Sequence, residues 1–428
     1  MIQRAFRCVL LGVALVASGC AGEPTLAPTP GIYGGADGRV QFTTSSAIQE
    51  RQQRSLLYVT DRAAVLDEGG GLSYGSERSR SMSYGSVAVE IERSRTGAGE
   101  LRVGAVEKRG EFPSTPYPVQ ASAGGLRRSP LAVAQHEKAI RGLQAEVSRR
   151  LANSPRKEVV IFVHGYNNSF EDAVRSTGNV CQFLGEEFVC VVLTWPAGGS
   201  AGAFFGYNVD RESGEFAVSD VRKAIRAIGE TSGISKVHLL AHSRGTDVLT
   251  SALQQLAIES HVAQTSLSRR LKVANIVLFA PDIDIDVASS RIFTVLSDPD
   301  LPVGRIPQPQ STFNRGSLHL TVYSSPGDKA LGLSGRLFGS IIRLGQLATA
   351  QRDDRLPKEL PDFAGAIDFI EYPDGGTLIG HDYFLSSPKV SADFVALIRY
   401  GLAPGEQGRP LEEIKRPFWR TVSGESLR

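Results

Sequence analysis

The sequence predicts an α/β fold with a mostly parallel central sheet, helices on both faces of that sheet and an N-terminal β extension. Two observations lead to this prediction. Short, continuously apolar runs such as "EVVIFVHGY", "FVCVVLTW" and "KVHLLAHS" alternate with segments of helical spacing. Strands that are apolar at every position are typical of a parallel sheet buried between two helical layers. With 428 residues, 41% of them hydrophobic, the chain is long enough for a core domain and extensions.

Charge and cysteine usage argue against several classes of function. Lys and Arg total 47 against 45 Asp and Glu, and the basic residues are dispersed without a dense run. A nucleic-acid-binding protein usually carries a basic stripe or patch, so no nucleic-acid partner is expected. The four cysteines and seven histidines lack the spacing that is typical of a metal site. We therefore expect no bound metal.

Residues 1–19 are predicted to be a secretory signal. Two arginines precede the apolar run "CVLLGVALVASG", which is too short to span a bilayer as a helix. The run "LVASGC" resembles a bacterial lipoprotein signal, in which Cys20 becomes the lipidated first residue. Ala21 stands where sorted inner-membrane lipoproteins carry Asp, so the resemblance implies the outer membrane or periplasmic face of the cell envelope. The alternative is an ordinary signal peptide that is cleaved near Gly19.

The segments before the core differ in composition. Residues 20–50 are rich in Pro, Gly, Ala and Thr, which predicts a flexible tether. Residues 51–128 form the β extension, with strands at "LLYVTDRAAV" and "SVAVEIE" separated by a Gly/Ser/Arg-rich loop. The α/β core is assigned to residues 129–403. It opens with a helix that has Ser129 at its N-cap and Pro130 at its first position.

The core then alternates strands and helices. Further helices are predicted at "NSFEDAVRSTGNVCQFL", "AVSDVRKAIRAIGE", "GTDVLTSALQQLAI" and "VSADFVALIRYGL", and further strands at "VANIVLFAPD", "LHLTVYSS" and "AIDFIEY". Residues 404–428 are polar and are expected to be a loose tail. Cys181 lies on a predicted helix and Cys190 in the next strand. An exported protein permits a disulfide between them, but both also fit as buried thiols, and we expect thiols.

The stretch "KVHLLAHSRGTDVL" places a serine between a buried strand and a helix. Small residues, Ala241 and Gly245, stand two positions before and after Ser243. This pattern is that of a nucleophile elbow, a turn so tight that larger neighbours would collide. At the start of a helix, the backbone N–H of Arg244 is an expected oxyanion-hole donor. The alternative is a serine that merely caps an ordinary helix.

An earlier strand, "VVIFVHGYNN", ends in a second candidate site. In a fold with a nucleophile elbow, the loop after such a strand supplies the other oxyanion N–H. Gly165 lets the backbone approach the substrate, and Tyr166 is the candidate donor. His164 precedes the serine, whereas the base comes last in this fold, so His164 is expected to be a structural hydrogen-bonding residue.

Together these motifs resemble the α/β-hydrolases. The closer resemblance is to a bacterial esterase/lipase-like family whose activity is unassigned, and it spans about residues 56–402. It rests on "YVTDR", "YGSVAVEI", "FVHGYNNSF", "TWPAGG", "LAHSRGTDVL", "LFAPDID", "YSSPGDKAL" and "GHDYF". The resemblance implies the fold and a serine hydrolase mechanism, but it does not supply a substrate.

The base must follow the serine, because the chain order in this fold is Ser, acid, His. His261 comes too soon after the elbow helix, and His319 lies inside a predicted strand. His381, in "GHDYF", lies in a loop between the last predicted strand of the core and the final helix. We therefore assign His381 as the base. The neighbour of the nucleophile, His242, is expected to point elsewhere.

Two residues compete for the role of the acid. Asp328 follows the penultimate strand, where the acid usually lies, and is favoured. Asp282 follows the strand before it and is the alternative. The acidic run "PDIDID" around Asp282 lacks the glycine and glutamate of a calcium loop, so it is interpreted as strand-end and helix N-terminal acids.

Two apolar segments are candidates for shaping a substrate pocket. The Gly-rich stretch after "VVLTW" carries four aromatic residues that either line an acyl pocket or pack in a loop: Trp195, Phe204, Phe205 and Tyr207. Residues 329–347 have two interpretations. The segment could be a lid or a membrane-facing helix, or it could pack on the core, and packing on the core is favoured.

The predicted function is hydrolysis of a carboxylic ester through an acyl-enzyme on Ser243, with no cofactor or metal required. The expected substrate is a small acyl ester or a lipid. A peptidase, thioesterase or acyltransferase would use the same three residues. A non-catalytic envelope lipoprotein that uses the fold for binding is the alternative from another class.

Overall fold

The computed structural model describes residues 26–33, 51–93, 99–199, 203–294, 317–338, 342–347, 364–374 and 380–422. Within these ranges, eleven strands form one sheet and two more form a separate hairpin. The sheet strands are β1 (Arg51–Leu66), β2 (Leu72–Arg93), β3 (Gly99–Glu111), β6 (Glu158–Val163), β7 (Phe188–Thr194), β8 (Lys236–His242), β9 (Val273–Phe279), β10 (His319–Ser324), β11 (Ile367–Glu371), β12 (Leu411–Lys415) and β13 (Phe418–Thr421). The hairpin consists of β4 (Val119–Ser122) and β5 (Gly125–Arg128).

The strand order is β12-β13-β11-β10-β9-β8-β6-β7-β1-β2-β3. All pairs from β13 to β1 are parallel, while β12, β2 and β3 join as antiparallel edges. The prediction of a mostly parallel sheet with an N-terminal β extension is therefore confirmed. The chain leaves β6 for β7 on one side and returns to β8 on the other, so a crevice forms at the carboxyl ends of these strands.

Helices cover both faces of the sheet. They are α1 (Pro130–Ala152), α2 (Phe170–Leu184), α3 (Ala203–Gly229), α4 (Gly245–Val262), α5 (Leu267–Leu271), α6 (Ile285–Ile292), α7 (Lys329–Phe338), α8 (Tyr383–Ser386) and α9 (Pro388–Ile398). Alternate residues of β6 enter different cores: Ile161 packs with α1, α3 and α4, and Phe162 packs with α2 and α9. This two-sided burial explains why the parallel strands are apolar at every position.

The N-terminal extension is more regular than the sequence predicted. The Gly/Ser/Arg-rich segment expected to be a loop belongs to β2, which pairs with β1 from Leu66↔Leu72 to Arg51↔Glu92. The hydroxyls of Tyr58 and Tyr74 lie 2.9 Å apart across these strands. Pairing with β1 satisfies the backbone of β2, so the turn-forming tendency of its glycines and serines does not decide its conformation.

Part of the predicted tether packs against the core. In residues 26–33, the Ala27 N–H donates to Asn179 Oδ1 at 2.9 Å, and the Tyr33 hydroxyl donates to the Phe183 carbonyl at 2.7 Å. Both acceptors lie on α2, so this stretch is anchored by partners about 150 positions away in the chain. The prediction of a tether is wrong for these residues.

The predicted loose tail, residues 404–428, instead supplies β12 and β13. The indole N–H of Trp419 donates to Asp368 Oδ1 at 2.8 Å. Arg409 and Asp393 form a fully buried ion pair with an N–O distance of 2.6 Å. The segment is polar in sequence, but its polar groups meet buried partners, which is why composition alone predicted the wrong structure.

Two further predictions need correction. The helix predicted at "AVSDVRKAIRAIGE" begins earlier, because α3 starts at Ala203 within the Gly-rich stretch after β7. Cys181 and Cys190 are joined by a disulfide rather than being thiols, with a Cα–Cα distance of 6.5 Å between α2 and β7. By contrast, the expected packing of residues 329–347 is confirmed where the structure describes it, since Leu331 and Leu344 are buried.

Among the described residues, none of the helices has both the length and the apolar character needed to cross a membrane. Within the same ranges, the side chains of His, Cys, Asp and Glu do not gather in groups of three or more that are suited to a metal ion.

Candidate active site

The nucleophile candidate lies at the turn between β8 and α4. Ser243 has a φ of 52°, in the left-handed region that side chains other than glycine rarely adopt. Its N–H donates to the Phe279 carbonyl at 2.9 Å, and its carbonyl accepts from the Thr246 N–H at 3.1 Å. These bonds fix the serine in a strained conformation, as an elbow requires.

A glycine is required two positions later. A Cβ on Gly245 would lie 2.1 Å from the His164 carbonyl oxygen and 2.7 Å from that of Val163. The first turn of α4 therefore packs directly on the end of β6. The close approach brings the two carboxyl ends, and the loops that follow them, together.

His381 and Asp328 meet Ser243 from two other strand ends. His381 Nε2 lies 2.7 Å from Ser243 Oγ, and His381 Nδ1 lies 2.7 Å from Asp328 Oδ2. Asp328 follows β10 and His381 follows β11, so the three groups come from carboxyl ends on the same edge of the sheet. All three residues are buried, with at most 3% of their surface exposed.

The electrostatics of His381 follow from this contact. Burial disfavours the charged imidazole, but the neighbouring Asp328 carboxylate outweighs it and raises the pKa of His381 above its ordinary value. The second carboxylate oxygen, Oδ1, accepts from the Leu331 N–H at 3.0 Å. Asp328 is thus fixed at both oxygens and orients the imidazole toward Ser243 Oγ.

The alternative acid, Asp282, is turned to other partners. It accepts hydrogen bonds from the hydroxyl of Tyr207 at 2.7 Å and from that of Ser334 at 2.8 Å. Arg343 lies 3.4 Å from it. Although burial opposes ionisation, the charges of Arg343 and Arg244 hold the pKa of Asp282 below its usual range. Asp282 therefore forms part of the wall beside the site.

The loop after β6 lies against the nucleophile. A Cβ on Gly165 would be 2.8 Å from Ser243 Cβ, so only glycine fits this approach. Tyr166 directly follows Gly165, and Arg244 directly follows Ser243, so their N–H groups remain the predicted oxyanion-hole donors. Asp210 of α3 holds this loop by accepting from the Asn167 N–H at 2.8 Å.

The sequence did not identify Arg62 of β1 as a part of the site. Its guanidinium is buried and donates to the carbonyls of Asn168 at 2.6 Å, Ala197 at 2.9 Å and Gly75 at 3.0 Å. Its Nε donates to Thr194 Oγ1 at 2.8 Å. Burial lowers the pKa of Arg62 to about 10, which still leaves it charged at neutral pH. It ties together the loops that follow β6 and β7.

His164 and Trp195 complete this support. Their rings stack at 5.1 Å, and the Trp195 indole N–H donates to the His164 carbonyl at 2.9 Å. Burial, with the charge of Arg62, holds the pKa of His164 well below its ordinary value. Trp195 is completely buried and stacks on His164, so of the two alternatives for this residue the structure favours packing over a place in a substrate pocket.

His242, next to the nucleophile, points away from it and holds the loop of the base. His242 Nε2 lies 2.9 Å from the His381 carbonyl oxygen, and the imidazole stacks on Phe384 at 4.3 Å. Burial holds the pKa of His242 well below its ordinary value. It is therefore neutral and donates to that carbonyl.

A cavity of about 360 Å³ opens beside the elbow, and Arg244 and Tyr207 are in its wall. The Tyr207 ring also packs against that of Tyr166 with centroids 5.1 Å apart. Of the four aromatic residues predicted to line a pocket, Tyr207 lines this one. The side chains of Phe204 and Phe205 lie outside the described residues, as does Cys20.

The parallel sheet, the strained serine turn and the strand-end positions of its partners define the class of the protein as an α/β-hydrolase. The chain belongs to the family described as alpha/beta hydrolase of unknown function (DUF900), which it matches over residues 140–400. The resemblance predicted from the sequence motifs is thereby confirmed.

Solved structures similar to the chain include two bacterial esterases. Esterase B from Lactobacillus rhamnosus HN001 shares 12% identity, with 48% of this chain and 78% of that chain covered and a TM-score of 0.23. Carboxylesterase CesB from Bacillus subtilis shares 10% identity, with 61% and 99% covered and a TM-score of 0.28. A comparison with curated proteins found no match.

Proposed function

We propose that the protein is a serine hydrolase that cleaves carboxylic esters through an acyl-enzyme on Ser243. One observation carries the proposal. A continuous hydrogen-bonded chain, with both distances 2.7 Å, runs from Ser243 Oγ through the imidazole of His381 to Asp328. In such a chain, the imidazole is placed to remove the serine proton while the carboxylate holds the other ring nitrogen.

The reaction starts with neutral His381. Its Nδ1–H donates to Asp328, so Nε2 is free to accept the hydroxyl proton as Ser243 Oγ attacks the ester carbonyl. The negative charge that develops on the carbonyl oxygen is held by the N–H groups of Arg244 and Tyr166. The protonated imidazole then passes its proton to the departing alcohol. Water, activated by the same imidazole, releases the acid and regenerates the serine.

Labelling with a fluorophosphonate tests the nucleophile. The wild-type protein should react at Ser243, and Ser243→Ala should not. Ser251→Ala is a matched control, because this serine lies on the same helix and its hydroxyl donates to the Asp247 carbonyl rather than to a residue of the candidate site. An unlabelled wild-type protein would favour the non-catalytic binding function instead.

Substrate class is tested by matched acyl donors. Hydrolysis of p-nitrophenyl esters of graded acyl length should exceed that of the corresponding anilides and thioesters. If an anilide or thioester is cleaved faster than the ester of the same acyl group, the protein is a peptidase or a thioesterase. Transfer of the acyl group to an added alcohol in preference to water would indicate an acyltransferase.

We also propose that the protein is exported and anchored in the bacterial cell envelope through a lipidated Cys20. The charged and apolar leader before Cys20 supports this proposal. The disulfide between Cys181 and Cys190 also supports it, since such bonds persist in oxidising compartments such as the periplasm. The proposed substrates are therefore small acyl esters or lipids available at the envelope.

A further inference from the structure

The cavity beside the elbow shares its walls with the candidate active site. Arg244, which follows the nucleophile, lines it, and so does Ile283, which follows Asp282. The Asp282 N–H donates to the Ser243 carbonyl at 3.3 Å, so this wall is attached to the backbone of the nucleophile. A substrate group in the cavity would therefore lie next to Arg244, the residue that directly follows the nucleophile.

The lining is charged rather than apolar. The cavity is lined by Tyr207, Arg211, Glu215, Arg244, Asp247, Ile283, Asp284, Val287, Arg291 and Arg343. Four arginines thus face three carboxylates, and Ile283 and Val287 are the aliphatic side chains among these ten residues. A long acyl chain would desolvate these charged groups without replacing their hydrogen bonds, so the cavity does not suit such a chain.

The positive charge is concentrated on the inner wall. Arg244 and Arg291 both pair with the single carboxylate of Asp247, the former at 2.6 Å. Two guanidinium groups therefore share one carboxylate on this wall. The charge of Arg343 is balanced by the carboxylate of Asp282, which lies 3.4 Å from its guanidinium.

One arginine of this wall, Arg244, has a donor group without an acceptor among the described residues. Arg244 is 8% exposed, and its Nε is buried with no hydrogen-bond partner in the described part of the chain. The Tyr207 ring lies 5.9 Å from its guanidinium carbon. A buried donor without an acceptor is costly, so the guanidinium would gain from a rotation that brings it to an anionic oxygen in the cavity.

The rim carries charges of both signs. The carboxylate of Asp284 lies at the start of α6, where it accepts from the Asp286 N–H at 2.8 Å and keeps its negative charge. Arg211 and Glu215, one turn apart on α3, are both exposed. Their charges are screened by water, so the inner arginines determine which ligand is favoured.

We propose that this cavity binds an anionic group of the substrate, a carboxylate or a phosphate, beside the scissile ester. The inference rests on the proposed ester hydrolysis and adds the substrate class to it. The preferred substrates are esters with a negative charge rather than esters with purely aliphatic acyl chains.

The test compares two esters of equal chain length, the p-nitrophenyl monoester of adipic acid and p-nitrophenyl hexanoate. The wild-type enzyme should have the higher kcat/KM for the adipate ester. Arg291→Gln removes one of the two guanidinium groups that share Asp247 and leaves Asp247 paired with Arg244, so the adipate-to-hexanoate ratio should fall roughly ten- to hundredfold. Arg226→Gln, which removes an arginine that pairs with Glu259 away from the cavity, should keep the wild-type ratio.

A wild-type preference for hexanoate, or an unchanged ratio in Arg291→Gln, would overturn the proposal. Binding to Ser243→Ala, measured by calorimetry with monomethyl adipate and with inorganic phosphate, separates the two hypotheses. Binding of either anion without any ester hydrolysis by the wild type refutes the proposed function but supports the anion site. Hydrolysis without anion binding refutes the anion site alone. The tighter of the two anions identifies the carboxylate or the phosphate as the preferred group.

Discussion

Replacing Asp328 by asparagine should disable the enzyme through the tautomer of His381. The Leu331 N–H donates to Asp328 Oδ1, while Oδ2 faces His381 Nδ1. An asparagine amide has only one acceptor oxygen, and the Leu331 N–H requires it. The amide NH₂ is thus directed at Nδ1, which must accept. The proton of the neutral imidazole then lies on Nε2, facing the Ser243 hydroxyl, so no base remains.

The expected loss in kcat is on the order of 10⁴, or about 5.5 kcal/mol of activation free energy. Asp282→Asn is the matched control, because it makes the same chemical change in a buried aspartate at the end of the neighbouring strand. Asp282 bonds Tyr207 and Ser334 rather than His381. Its replacement should therefore cost about tenfold or less, through weaker packing of the cavity wall.

The assay is kcat on one activated p-nitrophenyl ester, with circular dichroism to show that both variants are folded. The dependence of kcat on pH provides a second measurement. Since the Asp328 carboxylate raises the pKa of His381, its removal should move any residual acid limb to lower pH. A large loss of kcat in Asp282→Asn, together with a nearly unchanged kcat in Asp328→Asn, would refute this reasoning. The acid would then be Asp282, at the end of the earlier strand.

Other predictions follow from the same contacts. Because His381 must be neutral and its pKa is raised, wild-type kcat/KM should fall as pH drops through a value above ~6.5; a rate unchanged down to about pH 5 excludes a histidine base. Gly245→Ala would place a Cβ 2.1 Å from a carbonyl oxygen. Urea denaturation should therefore show a free energy of unfolding that is lower by ~1–3 kcal/mol; an unchanged midpoint would contradict the packing of α4 on β6. Arg62→Met leaves buried carbonyl groups without donors, and each costs ~1–3 kcal/mol of folding free energy. The Met variant should therefore unfold at a lower urea concentration than Arg62→Lys; equal stability would argue against a role of Arg62 in holding the loops after β6 and β7. Cys20→Ser should release the protein from membrane fractions, and its retention there would count against a lipid anchor.

Much of the fold could be predicted because its signals are local. Parallel strands buried on both faces must be apolar at every position, and such runs are visible without knowing their partners. The elbow is also local, since a serine in the left-handed region tolerates only small neighbours such as Gly245. Chain order then selected His381 and favoured Asp328 over Asp282, because parallel strands bring their carboxyl ends to one edge of the sheet.

Other features could not be predicted because their partners are distant in sequence. The composition of two polar segments predicted loops or a tail, whereas long-range contacts order them. These contacts are the pairing of β2 with β1 and the hydrogen bond from Trp419 to Asp368. The state of Cys181 and Cys190 depended on whether their α-carbons approached within 6.5 Å. Composition describes the average tendency of a segment, and a single buried hydrogen bond or ion pair can outweigh it.

The sequence by itself determined the α/β class, the serine elbow and the order of the three candidate catalytic residues. Only the tertiary structure decided which aspartate faces the imidazole, that Arg62 of the N-terminal extension holds the loops after β6 and β7, and that the adjoining cavity is lined by arginines. The physical reason is that a buried charge requires partners on several sides. For Arg62 these partners are Gly75 of β2, Thr194 of β7 and the carbonyls of Asn168 and Ala197 in the loops after β6 and β7. Most of them are distant from Arg62 in sequence, so no single stretch of sequence shows these contacts.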